Sequence, residues 1–334
     1  HCFFSNTIKV CHLNSLLFST PSSAKHSVTA IRAVVCHEID HFGRADYTWD
    51  AGKIRRMDFD LRPASDLRLP DLVQTLNRGF EEYPVPIHLN LSQFLGMVRK
   101  DSIDLTASRV LFTDDQMVGV ALIARRGWTS RLAAMGIAIE SRNKGAGSWL
   151  MDKLIREARE RGDHAMTLEV IEQNDPAVRL YEKFEFQIVR RLIGMIRREA
   201  VELEDGALQE IDARDAGALI SQFGLSDLPW QLAGETISQL TPPVRAFCKG
   251  PALIVLSDPG ANHVVVWSLL VKPEARGNHH GADLLKQVIA NHPGKTWHVP
   301  AIYPEELGAV FERACFEREP LSQWQMRLPL AAST

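Results

Sequence analysis

Apolar and polar positions divide this chain into two runs with the same order of elements. In the first, Asp58 to Arg62 reads as a short strand closed by the turn Pro63-Ala64-Ser65-Asp66. Leu69, Leu72, Val73 and Leu76 then recur at helical spacing. Gly79 to Ile87 breaks that pattern, because Pro84 and Pro86 stiffen it and keep it out of a helix. A second helix is expected over Leu91 to Lys100. Arg109 to Phe112, Met117 to Ala124 and Leu132 to Ile139 read as three strands, with Asp114-Asp115 supplying the first turn. After a glycine-bearing turn, Trp149, Leu150, Leu154, Ile155 and Ala158 mark another helix. A strand over Met166 to Val170, a helix opened by Asp175-Pro176 and strands from Phe186 to Arg198 follow.

From Gly206 the order begins again. Leu208 to Ile211 is expected as a strand, Ala213 to Phe223 as a helix, and Ala252 to Leu256 and Val264 to Val271 as strands joined across Asp258-Pro259-Gly260. At a single offset Arg276 falls on Arg142, Gly281 on Gly147 and Leu284 on Leu150, while Phe311 to Phe316 echoes Tyr181 to Phe186. This is an internal repeat.

The chemistry concentrates where the strand ending at Ile139 meets the next helix. Between them lie Arg142, Asn143, Lys144, Gly145, Ala146, Gly147 and Ser148. A glycine turn at a helix start can aim backbone N–H groups at a phosphate, and the helix dipole favours the negative charge. Two basic side chains in the same turn add formal charge. The plainer alternative is a tight turn whose glycines merely take positive φ. The pattern is R-x-x-G-x-G, neither a Walker motif nor a dinucleotide fingerprint. Downstream, Asn174 precedes a short helix that carries Leu180-Tyr181 and ends at Glu185-Phe186.

These two motifs, in this order and spacing, resemble the signatures of the GNAT superfamily of acyl-CoA-dependent N-acetyltransferases. Glu185 departs from the family, which has Gly there, so a looser turn is expected. With its repeat, the chain resembles a tandem GNAT protein over nearly everything after Met57. The resemblance implies an α/β fold of two GNAT-like domains, 57–198 and 206–330, each a mixed, mostly antiparallel central sheet flanked by helices. It implies acetyl-CoA as co-substrate, held by Arg142 to Ser148 and Asn174 and by the main chain of Ile137, Ala138 and Ile139. One of those strand N–H groups would polarise the thioester carbonyl. It further implies that Tyr181 protonates the leaving thiolate, that Glu172 or Glu169 serves as base, and that the loop with Glu82 and Tyr83 covers the acceptor. Taken singly, Tyr181 reads as a packed tyrosine, the two glutamates as solvated or ion-paired carboxylates, and the proline-stiffened loop as a surface loop.

In the repeat, His279 stands for Gly145 and Phe311 for Tyr181, and Val299 to Tyr303 shows no counterpart of Asn174. The second domain is therefore expected to be degenerate, packing on the first and shaping its acceptor pocket. Charge agrees: Lys plus Arg against Asp plus Glu is 21 against 20 over residues 57–198 but 10 against 17 over residues 199–334. An acidic half repels a polyanion.

With 334 residues and 45% hydrophobic content, two domains with sizeable cores are affordable. No apolar run suggests a membrane span, no basic tract suggests nucleic acid, and the twelve histidines and five cysteines show no metal spacing. A reduced, cytoplasmic setting, a small-molecule or peptide amine as acceptor, and a monomer or homodimer are expected. The alternatives are a non-catalytic acyl-CoA sensor and an interaction protein that has lost its pocket. Residues 1–37 contain no Asp or Glu, and the first Met is Met57. Residues 1–56 are read as a processed leader or, by preference, as a reading frame extended upstream of Met57, and are expected to be disordered.

Overall fold

A computed structural model describes residues 59–199 and 206–330. The expectation for residues 1–56 lies outside the described residues. The first run forms β1 (Asp60–Pro63), α1 (Leu69–Gly79), α2 (Leu91–Lys100), β2 (Ile103–Thr113), β3 (Gln116–Arg126), β4 (Thr129–Ile137), α3 (Ala146–Glu160), β5 (Ala165–Ile171), α4 (Asp175–Lys183) and β6 (Gln187–Arg197). The second repeats it element for element: β7 (Gln209–Ile211), α5 (Ala213–Phe223), α6 (Gly234–Ile237), β8 (Arg245–Lys249), β9 (Ala252–Leu256), β10 (His263–Val271), α7 (His280–Asn291), β11 (Thr296–Pro304), α8 (Ala309–Glu312) and β12 (Glu317–Pro329).

Local chemistry sets the helix starts. Asn90 and Gln93 form a reciprocal capping box on α2, and the Asp212 carboxylate caps α5. On α4 the N-cap is Asn174, so Asp175 is already helical. At the other end of that helix Glu185 adopts φ 66°, and Phe186 N–H reaches Tyr181 O at 3.1 Å. The turn thus keeps the left-handed geometry that glycine favours, and the expected loosening does not occur.

All twelve strands join one sheet in the order β1-β2-β3-β4-β5-β12-β6-β11-β10-β9-β8-β7. The last strand of each half is exchanged. β12 lies against β5 over Gln323–Pro329, β6 lies against β11, and the two exchanged strands pair with each other. Core side chains travel with them. Ile193 and Met195 of β6 are buried in the second half's core with Trp297 and Phe311, while Met326 and Leu328 of β12 are buried under α3 with Leu150 and Leu154. Burial of such aliphatic side chains is worth roughly 1.5–3 kcal/mol each, so the exchange ties the two cores energetically.

Nearly all pairings are antiparallel, as expected for this sheet. The exceptions, β4 with β5 and β10 with β11, are parallel over only three residue pairs each. Beyond Arg131↔Thr167 the strands β4 and β5 diverge, leaving the β5-facing backbone of β4 without a strand partner up to Ile137. This wedge is the feature that positions the site. Across it, α1 crosses β4 at a glycine–glycine contact: a Cβ on Gly79 would lie 2.6 Å from the Gly136 backbone.

Candidate active site

The wedge ends at a short 3-10 turn, Ile139–Ser141, and at the loop opening α3. Gly145 is the N-cap of α3 with φ 84° and offers no side chain to the first turn. Among the described residues, the N–H groups of residues 143–147 meet no main-chain acceptor. Unsatisfied donors of a first helical turn, together with the helix dipole, make a site for an anion. Lys144 is exposed on the same loop. A second cation, not found from sequence, comes from α4: Lys183 Nζ lies 3.3 Å from Ser148 Oγ. Its sequence position gave no signal, because the contact depends on how α4 packs beside α3.

Arg142 has a different task from the one its charge suggested. Its guanidinium donates to the carbonyls of Ile137 at 2.9 Å, Gly79 at 3.1 Å and Glu81 at 2.9 Å. The side chain braces the end of β4 against the end of α1, so its charge is directed at carbonyls and not at the loop's anion site. Two main-chain expectations also change. Ala138 N–H donates to Val118 O at 2.8 Å and Arg142 N–H to Ile139 O at 3.1 Å, so neither is free for a cofactor. Ile139 is largely exposed.

Tyr83 neighbours both Asn174, the N-cap of α4, and Tyr181 in the last turn of that helix. The Tyr83 hydroxyl interacts with the Asn174 side chain; burial pushes the Tyr83 phenol up to about 12, and that interaction offsets part of the rise. Tyr181 is buried edge-on against Phe186, 5.9 Å between centroids. Burial, with a further contribution from neighbouring Tyr83, holds its phenol well above the usual tyrosine value. Its hydroxyl makes no hydrogen bond among the described residues, so the donor is protonated and uncommitted.

The two candidate bases separate. Glu169 is committed to a buried ion pair with Arg131, at 2.7 Å to Nε and 2.6 Å to Nη2, with its side chain 1% exposed. It cannot exchange a proton with the cleft. Glu172 is partly exposed; its Oε2 accepts from Arg191 Nε at 2.8 Å and from Ser322 Oγ, while Oε1 has no partner among the described residues. Glu82 turns to solvent, 75% exposed, 3.9 Å from Arg142. Both Glu82 and Tyr83 line a cavity of about 840 Å³ that also includes Val73, Phe80 and Ile87. No group of His, Cys, Asp and Glu suited to a metal ion occurs among the described residues.

The second half repeats the brace and closes the wedge. Arg276 donates to Val271 O at 3.1 Å and to Phe223 O at 2.6 Å, as Arg142 does to Ile137 and the end of α1. His279 takes the Gly145 position as N-cap of α7 with φ 62°. Between β10 and β11, however, the buried ring of Tyr303 packs edge-on against Phe311 at 4.8 Å, and its hydroxyl donates to Leu269 O of β10 at 3.0 Å. An aromatic side chain therefore engages the strand backbone that is left open in the first half.

Residues 71–186 match the acetyltransferase (GNAT) family. That match spans about a third of the chain. Solved structures extend the likeness to both halves of the GNAT fold. A GCN5-related N-acetyltransferase from Sphaerobacter thermophilus superposes with a TM-score of 0.58 at 13% identity, covering 83% of this chain and 96% of that one. A tandem GNAT protein from the clavulanic acid biosynthesis pathway gives 0.56 at 15%, covering 83% and 100%. A GCN5-related N-acetyltransferase from Kribbella flavida gives 0.56 at 16%, covering 82% and 72%. At these identities the likeness is one of fold. No curated protein matches the chain. No helix among the described residues is long and apolar enough to cross a membrane.

Proposed function

We propose that the first half transfers an acetyl group from acetyl-CoA directly to a primary amine in a ternary complex. The observation that carries this reading is the run of open N–H groups at the start of α3, set beside the divergence of β4 from β5. Residues 143–147 hold the pyrophosphate, with Lys144 and Lys183 adding charge, and Asn174 lines the other wall. Acetyl-CoA, when bound, supplies an acyl group activated as a thioester. The open backbone of β4 near Ile137 polarises the carbonyl oxygen as negative charge develops.

Glu172, anchored through one oxygen, receives the proton shed by the attacking amine through its free oxygen, directly or through water. Tyr181 presents its hydroxyl to the departing sulfur. Its raised pKa keeps the phenol protonated but makes complete transfer to a thiolate, with a pKa near 8.5 for an ordinary thiol, uphill. The tyrosine therefore acts first as a hydrogen-bond donor to developing charge, and the proton follows as the amine's proton is relayed away.

The second half, in this reading, binds no acetyl-CoA, because Tyr303 and Phe311 fill its wedge. A reduced, cytoplasmic setting suits the free thiols of Cys248 and Cys315. The test is thiol release from acetyl-CoA with amines, amino acids, peptides and aminoglycosides, alongside calorimetric titration of acetyl-CoA. Any side chain at Gly145 must take a left-handed φ there, so Gly145→Val should raise the acetyl-CoA Kd at least tenfold. Unchanged binding in a folded variant refutes the site. Binding without thiol release from any amine would instead mark a sensor.

A further inference from the structure

The exchanged strand carries the second half into the first half's cleft. Where β12 meets the end of β5, Leu321 packs on buried Ile171 and Val85 together with Tyr83, the last two from the loop between α1 and α2. The contact is held on both sides. Glu172 N–H donates to Ser322 O at 3.0 Å, and Gln173 Nε2 reaches Pro320 O at 3.4 Å. Tyr83 connects this apolar patch to the chemistry, because its hydroxyl interacts with Asn174 and it neighbours Tyr181.

We propose that Leu321, supplied by the last strand of the second half, forms a wall of the acceptor cleft and selects a primary amine borne on an apolar skeleton. The inference rests on the acetyltransferase reading above. Leu321 and the Tyr83 ring, partly exposed above buried Ile171 and Val85, offer hydrocarbon to whatever lies beside the reacting amine. A second ammonium or a sugar hydroxyl placed there loses its water without gaining a partner, which disfavours polyamines and aminoglycosides. Of the acids nearby, Glu172 has its open oxygen engaged by the reacting amine itself and Glu82 of the loop is 75% exposed to solvent, so neither compensates. The selecting residue and the chemical residues therefore belong to different halves of the chain.

Thiol release by the full chain is measured with hexylamine, phenethylamine, spermidine and kanamycin. The expected result is a kcat/KM for the two apolar amines at least tenfold above that for spermidine or kanamycin. Removing three carbons in Leu321→Ala should raise the KM for phenethylamine roughly tenfold, within the range that a few methylenes are worth. The acetyl-CoA Kd should stay unchanged, and Leu321→Met should restore the amine KM. If Leu321→Ala does not fold, Leu321→Val takes its place with a smaller shift in the same direction. Preference for spermidine or kanamycin in the native protein, or an amine KM indifferent to Leu321 in folded variants, overturns the inference while leaving the acetyltransferase reading in place. Acetyl-CoA binding with no thiol release from any amine overturns both.

Discussion

Replacing Arg142 with alanine removes three hydrogen bonds that join the end of β4 to the end of α1, at 2.9, 3.1 and 2.9 Å. Bonds to a charged donor contribute about 1.5–3 kcal/mol each when buried. The Arg142 side chain is about one-third exposed, 32%, so solvent screens part of that. A net loss of roughly 2–4 kcal/mol in folding stability is expected, measured by urea unfolding. Freed from its brace, the loop must be ordered by acetyl-CoA as it binds. If half of the loss appears there, the Kd rises on the order of 5–30-fold, since each 1.4 kcal/mol is tenfold. Arg142→Lys should recover only part of either effect, because one ammonium cannot reproduce a planar fork. The matched control is Arg276→Ala, which removes two bonds of the same kind in the second half. It should lower stability by about 1–2 kcal/mol and leave the Kd alone. Acetyl-CoA binding within twofold of native in Arg142→Ala, or equal weakening in Arg276→Ala, would refute the reasoning.

Tyr181→Phe removes the uncommitted hydroxyl and keeps the packed ring, so turnover should fall about 10–100-fold while the acetyl-CoA Kd moves less than threefold; an unchanged turnover with chemistry shown to be rate-limiting assigns the donor elsewhere. Calorimetric titration should give one acetyl-CoA per chain, and Gly147→Val, which sets a branched side chain in the first turn of α3 among the open N–H groups, should remove that single site, whereas two equivalent sites would show that Tyr303 does not close the second wedge. Burial raises the phenol pKa of Tyr83, Tyr181 and Tyr303 in the folded state. The proton is then held more tightly by the folded than by the unfolded chain, so this stability is complete below pH 10 and is lost as pH climbs from about 10 through about 12 and beyond. Absorbance at a wavelength near 295 nm should show these three phenols resisting ionisation until the protein unfolds; ordinary titration near pH 10 by all of them in the folded protein contradicts their burial.

Periodicity was enough for the elements whose faces are set locally. The ranges Leu91–Lys100, Ala213–Phe223 and Ala252–Leu256 coincide with α2, α5 and β9, because capping residues and turn residues bracket them. The start of β2 was less legible. It begins at Ile103, not Arg109, because its pairing with β3 is interrupted between Asp104 and Arg109 and the alternation fails there. β8 and β12 went unread: Arg245–Lys249 is short and partly charged, and Glu317–Pro329 owes its place to partners about 120 or more residues away. The glycine loop was legible because its left-handed N-cap, Gly145 at φ 84°, favours glycine. The separation of Glu169 from Glu172 was not, since it depends on Arg131 across the sheet and on Ser322 and Arg191 from exchanged strands.

The exchange of β6 and β12 also bears on how the molecule comes into being. β5, paired with β4 over only three residues, finds its second neighbour in residues 323–329, near the C-terminal end of the described chain, and Glu172 pairs with a residue 150 positions later. During synthesis the first half can build α1 to α4 on β1 to β5, but β5 keeps an open edge, and β6 lacks both of its eventual neighbours until the second half has emerged. Contacts so remote along the chain make the last step of folding slow relative to the local ones. The carboxylate that would receive the amine's proton gains its Ser322 anchor only at that step, so a nascent or C-terminally shortened chain that binds acetyl-CoA should not yet transfer it.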